Sequence, residues 1–194
     1  MTGYRTQLAK PAQLGDEKWE EWLTQLDRVL TSAGSWIAGG PDSGLLQLAL
    51  RELRHDPYPA RTARRFTITT LNGWGLTSLI DDAELVIGEL VINALRHGLS
   101  SRTAVHSAHP VRIILAHTGE SLVCVVTDPS EESPVPRDPD YGSEGGRGLQ
   151  VVSGISHRWG WAPLGSPAPS GSPGKAVWAG FTLPRPPRHL EVCR

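Results

Sequence analysis

Glu89 and Asn93 stand four residues apart in the run Glu84 to Gly98, ELVIGELVINALRHG, which is apolar or small at nearly every other position from Leu85 to Leu95. In a helix that spacing puts both side chains on one face, a turn apart. A carboxylate there can act as a base, and an amide carbonyl is a ligand for a hard divalent cation. Setting a carboxylate among apolar residues costs free energy unless it is paired or holds something. A purely structural role fits the same two residues, with Glu89 paired to an arginine such as Arg96 and Asn93 capping a backbone group. Two downstream features bear on the choice. The apolar run Val123 to Thr127 ends in Asp128, just before a long loop. A carboxylate at a strand end can accept from an exocyclic amine, and can equally be an ordinary turn residue before Pro129. Farther on, Glu144-Gly145-Gly146-Arg147-Gly148-Leu149 is a glycine-rich turn that opens into a helix. Its backbone N–H groups and the positive helix end suit a phosphate, and Arg147 adds charge. A plain flexible loop end has the same composition.

These residues need elements to hold them. Pro59 can begin a helix in which Ala63, Phe66, Thr67, Thr70, Leu71 and Trp74 share a face, with Gly73 and Gly75 as its stop. A second helix is expected over Asp82 to His97, buried nearly all round, with Asp81 and Glu84 in the N-terminal capping pattern and Gly98 after it. Val111 to Ala116 and Leu122 to Thr127 read as a hairpin joined through His117 to Glu120. Residues 129–147 form a long loop of the kind that is usually functional. A helix over Leu149 to His157, a strand over Arg158 to Ala162 and a last strand over Lys175 to Leu183 complete the order. The fold class is α+β: a two-layer sandwich with a mostly antiparallel or mixed sheet and helices on one face. Ahead of it, Asp16 to Leu30 and Leu45 to Arg54 read as two helices separated by the break Ser32 to Gly44. The expected organisation is therefore a helical appendage over 1–56, a main domain over 57–184 and a tail over 185–194.

Composition removes several function classes. Nineteen basic against twenty acidic residues leave a net charge of −1, without the basic surplus that phosphate neutralisation on nucleic acid needs. No apolar run reaches the ~18 residues of a membrane span, and the N-terminus has no signal-peptide core, so a cytoplasmic protein is expected. Cys124 and Cys193 make neither a disulfide framework nor a zinc site. Gly174-Lys175 lacks the remainder of a P-loop, and no Gly-x-Ser-x-Gly elbow is present. A Rossmann reading fails on the distance from the strand to Gly146. His106, His109 and His117 have no cysteine or carboxylate cluster to complete a metal site. Trp19 and Trp22 read as packing residues of the appendage.

Taken in order, the Glu-x-x-x-Asn helix, the strand ending in aspartate and the Gly-x-Gly turn into a helix resemble the GHKL ATPase superfamily, with its Bergerat ATP-binding fold. The likeness is strongest to the small actinobacterial regulatory proteins related to anti-sigma-factor serine kinases. It rests on Trp74-Gly75, Glu89 to Gly98, Asp128-Pro129-Ser130, Gly145 to Leu149 and Arg158-Trp159-Gly160. The resemblance implies ATP and Mg²⁺ as cofactors, with Asn93 as the metal ligand and Glu89 as the catalytic residue that orients or deprotonates the attacking hydroxyl. It implies that Asp128 accepts from the adenine amino group and that Gly146 and Gly148 bring N–H groups to the phosphates. Arg96, His97, Ser130, Arg147 and Leu149 would line the same nucleotide site, and loop 129–147 would cover it. The implied activity is serine/threonine phosphorylation of a small antagonist protein, with a sigma factor as a further partner and a homodimer left open. The chain departs from the superfamily where Asp128 is followed by Pro129 and Ser130 instead of the Asp-x-Gly-x-Gly box. That departure supports a second reading, a protein-interaction module that switches partners without turnover.

Overall fold

A computed structural model of the chain describes residues 47–53, 56–98, 111–118, 120–135, 147–164 and 174–183. The elements are β1 (Gln47–Glu52), α1 (Pro59–Gly73), a 3₁₀ turn (Thr77–Leu79), α2 (Ile80–Gly98), β2 (Arg112–Thr118), β3 (Ser121–Asp128), α3 (Gly148–Ile155), β4 (Arg158–Pro163) and β5 (Lys175–Thr182). The strands form one five-stranded sheet in the order β1-β2-β3-β5-β4, and every neighbouring pair is antiparallel. α1 packs on α2, and α2 packs on both β3 and α3. The expected α+β architecture is the one observed.

The N-terminal segment differs from expectation. Leu45 to Arg54 was expected to be helical, yet Gln47–Glu52 is an edge strand paired along its whole length with β2, from Gln47 opposite His117 to Glu52 opposite Arg112. A helix of that length gains little from local hydrogen bonds alone, whereas the exposed edge of β2 offers a complete ladder. In that ladder Leu48, Ala49 and Leu50 become half-buried while Gln47, Arg51 and Glu52 stay exposed. These residues therefore belong to the sheet. The other expected appendage helix, Asp16 to Leu30, and the tail 185–194 lie outside the described residues.

Local chemistry accounts for the helices. Pro59 sits in the first turn of α1, and Ala63, Thr67 and Leu71 form its buried stripe. The buried Thr67 hydroxyl donates to the Ala63 carbonyl at 3.0 Å, so its polarity is satisfied within the helix. α1 ends in a Schellman motif: the Leu76 N–H donates to Leu71 O at 2.9 Å and the Gly75 N–H to Asn72 O at 3.1 Å. Gly75 carries the required positive φ of 73°. α2 begins at Ile80, directly off the 3₁₀ turn, so Asp81 and Asp82 lie inside its first turn and complement the helix dipole; Asp81 is not the residue preceding the helix.

α2 also differs from the all-round burial expected of it. Ala83, Val86, Ile87, Leu90, Val91 and Ala94 are in the core, but Leu85 is 40% exposed and Ile92 is half-buried. The helix thus has an open stripe, and Glu89 and Asn93 lie beside it. In the sheet, Ile113, Leu115, Leu122, Cys124, Val126, Val177, Ala179 and Phe181 join the helices in one apolar cluster. The alternate residues Ile114, Ala116, Val123, Val125 and Trp178 are buried as well, which explains why the central strands read as continuous apolar runs. The Trp178 ring lies against Gly160 of β4, where a Cβ would come within 2.7 Å of Cζ2. The β2–β3 turn is closed by the Thr118 hydroxyl, which accepts from the Ser121 N–H at 3.1 Å.

Candidate functional site

α2 presents Glu89 and Asn93 as neighbours one turn apart, both half-buried. The packing of α3 on α2 brings a third residue to them. A Cβ built on Gly148, the first residue of α3, would lie 2.8 Å from Glu89 Oε2, 3.0 Å from Asn93 Nδ2 and 3.3 Å from Asn93 Oδ1. Only glycine permits this approach without displacing the two polar tips, so the head of α3 is set directly against the carboxylate and the amide. Among the described residues neither Glu89 nor Asn93 makes a side-chain hydrogen bond or ion pair, so the structural alternative of a Glu89–Arg96 pair is not the arrangement adopted.

α3 starts without a side-chain cap. Its opening N–H groups lack intrahelical acceptors by geometry, and the helix dipole adds partial positive charge there. Arg147 precedes it in helical conformation, exposed, with its carbonyl accepting from the Val151 N–H at 2.9 Å. Leu149 is buried in the core cluster, so a contact from it to a ligand would come from its backbone N–H. Arg96 is exposed on the last turn of α2. Gly146 and the His97 side chain lie outside the described residues, as do residues 136–146 of the long loop.

A second candidate group lies at the end of β3. Asp128 is only 4% exposed. Its Oδ1 accepts from the Ser130 N–H at 2.9 Å and from Lys175 Nζ at 2.9 Å. The Ser130 hydroxyl in turn accepts from the Glu132 N–H at 3.1 Å. Asp128-Pro129-Ser130 is therefore an Asx turn followed by a serine turn, both closed by side-chain acceptors. Lys175 lies directly across the β3–β5 ladder from Asp128 and is itself 5% exposed. Gly174 packs so tightly beneath this turn that a Cβ would come within 2.7 Å of the Asp128 carbonyl oxygen.

Lys175 escapes a sequence reading, in which Gly174-Lys175 is only an incomplete P-loop. The available signal is a lone charged residue opening a run, Ala176 to Phe181, that is apolar or small throughout. Its partner follows from the ladder register, which sequence spacing does not provide. His106 and His109 lie outside the described residues, while His117 stacks on Trp74 at 5.9 Å and shares a 2.9 Å hydrogen bond between Nδ1 and Gln47 Oε1. Burial lowers the pKa of its ring. Among the described residues no cluster of His, Cys, Asp and Glu could hold a metal by itself. No helix among them is long and apolar enough to cross a membrane.

A family model described as "Histidine kinase-like ATPase domain" matches residues 53–165, more than half of the chain. It runs from the end of β1 through β4 and includes Glu89, Asn93, Asp128 and Gly148. No curated protein matches the chain.

Proposed function

The chain belongs to the histidine kinase-like ATPase domain family, and from that premise we propose that it binds Mg-ATP between α2, the head of α3 and the Asp128 turn, and that it transfers phosphate to a serine or threonine of a protein partner. The observation that supports this most directly is the convergence of Glu89, Asn93 and Gly148. A carbonyl ligand, a carboxylate and uncapped N–H groups within one small space are what an Mg-nucleotide requires. The donor set therefore fits the group. Bound Mg-ATP supplies a transferable phosphoryl group and a cation that neutralises charge on its oxygens.

In this reading Asn93 offers its side-chain carbonyl oxygen to the cation. Glu89 accepts a hydrogen bond from the attacking hydroxyl, fixes its direction and takes its proton as transfer proceeds. The N–H groups of Gly146, Gly148 and Leu149 hold phosphate oxygens, and Arg96, His97 and Arg147 add charge or bonding around them. Asp128 accepts from the adenine amino group, and Ser130 keeps the turn that aims it. Phosphoryl transfer depends mainly on positioning and charge neutralisation, which these groups supply without covalent chemistry. The partner proposed is a small antagonist protein of the anti-sigma type, with a sigma factor as the regulated target.

Calorimetric titration of ATP with and without Mg²⁺, on wild type and on Asn93→Ala, tests the binding step. Binding that depends on both Mg²⁺ and Asn93 is expected. Glu89→Ala is expected to retain binding and to lose phosphorylation. No heat at millimolar ATP would remove the kinase reading and leave a scaffold that acts through protein contacts.

A further inference from the structure

An ammonium group has three N–H donors, and Lys175 is almost fully enclosed. One N–H reaches Asp128 Oδ1 at 2.9 Å, and the Ser130 carbonyl is at the outer limit of bonding at 3.5 Å. No other acceptor for it occurs among the described residues. A buried cationic donor with an unspent N–H is costly, and a ligand acceptor would satisfy it. The lysine also lies beyond residue 165, where the family match ends, so that match assigns it no role.

We propose that Lys175 is a nucleobase-contacting residue: with Asp128 it forms a donor–acceptor pair that reads two adjacent positions on the purine edge. This rests on the proposed nucleotide site. Asp128 accepts from the 6-amino group of adenine, and the free N–H of Lys175 donates to the neighbouring ring nitrogen, N1. The cross-strand register holds the two side chains side by side. The two opposite charges stand 2.9 Å apart in a charge-assisted hydrogen bond. The Asx turn locks the carboxylate from the other side through the Ser130 N–H. The site thereby distinguishes bases that present a donor beside an acceptor from those that present only the donor.

The test compares Mg-ATP with Mg-1-deaza-ATP, in which the N1 acceptor is replaced by C–H, by calorimetry on the full chain. Wild type is expected to bind the analogue roughly tenfold more weakly, the scale of a lost hydrogen bond to a charged donor. Lys175→Met is expected to bind ATP as weakly as wild type binds the analogue, and to show no difference between the two ligands. Should Lys175→Met fail to fold, Asp128→Asn/Lys175→Met removes both charges together, and the difference between the two ligands should vanish in it too. Equal affinities of wild type for the two nucleotides would overturn the role of Lys175 while leaving the ATP site standing. Persistence of the tenfold difference in either variant would overturn it as well. Failure of wild type to bind either nucleotide would overturn both this role and the ATP site.

Discussion

Replacing Gly148 by alanine probes the contact on which the functional reading depends. The added Cβ would stand 2.8 Å from Glu89 Oε2 and 3.0 Å from Asn93 Nδ2, where ordinary contact begins at 3.4 Å. Both tips must therefore withdraw by about half an ångström, because α3 is held in place by Leu149 and Val152 in the core. The tips belong to half-buried side chains, so the movement takes place through their torsions at about 0.5–1.5 kcal/mol. Alanine regains only part of the ~1 kcal/mol that it gains over glycine in a helix interior, because residue 148 is the first of α3. Net stability should fall by no more than about 1 kcal/mol. Function should not be spared, since displacements on the order of an ångström in a reacting constellation cost roughly 100-fold. The expected result is a urea midpoint near wild type, Mg-ATP affinity reduced roughly tenfold and phosphate transfer reduced by a larger factor. Chemical denaturation, calorimetry and a radiolabelled phosphate assay on the same preparation provide the three readouts. Full binding and transfer by a folded Gly148→Ala protein would refute the reasoning. So would a loss of several kcal/mol, which would mean that Glu89 and Asn93 are rigid structural elements.

Other perturbations have equally definite signs. Lys175→Met leaves the Asp128 carboxylate buried without its cation and should cost about 3–5 kcal/mol in urea denaturation, whereas Asp128→Asn/Lys175→Met should recover most of that loss; equal stabilities of the two variants would contradict a buried pair. Gly174→Ala drives a Cβ into the Asp128 carbonyl, a backbone atom that cannot rotate away, so a loss of about 1–3 kcal/mol is expected, read as a lowered Tm. Burial holds the His117 ring below its ordinary value of 6.5. The unfolded chain therefore takes up that proton first, and stability falls as pH drops below 6.5 until the folded ring is protonated too. The urea midpoint should decline over that window in wild type, and less steeply in His117→Gln.

The sequence by itself determined most of what is local. The α1 stripe and its glycine stop, the β2–β3 hairpin and the spacing of Glu89 and Asn93 all follow from periodicity and turn chemistry, which act within a few residues. The order of motifs was sufficient to point to the histidine kinase-like ATPase family. Tertiary structure decided what depends on partners distant in the chain. Gln47–Glu52 became a strand because β2 offered an unpaired edge, which no local propensity records. Gly148 met Glu89 and Asn93 because α3 packs on α2, joining residues far apart in the sequence. The Asp128–Lys175 pair exists because antiparallel register sets one residue opposite the other across 47 positions of sequence. Leu85 looks buried in a list of apolar neighbours, yet burial is a property of the packed surface around a helix, and there it is 40% exposed. Short-range order is encoded by residue types within a turn or two, whereas a site is made of contacts between elements whose register and packing only the folded chain specifies.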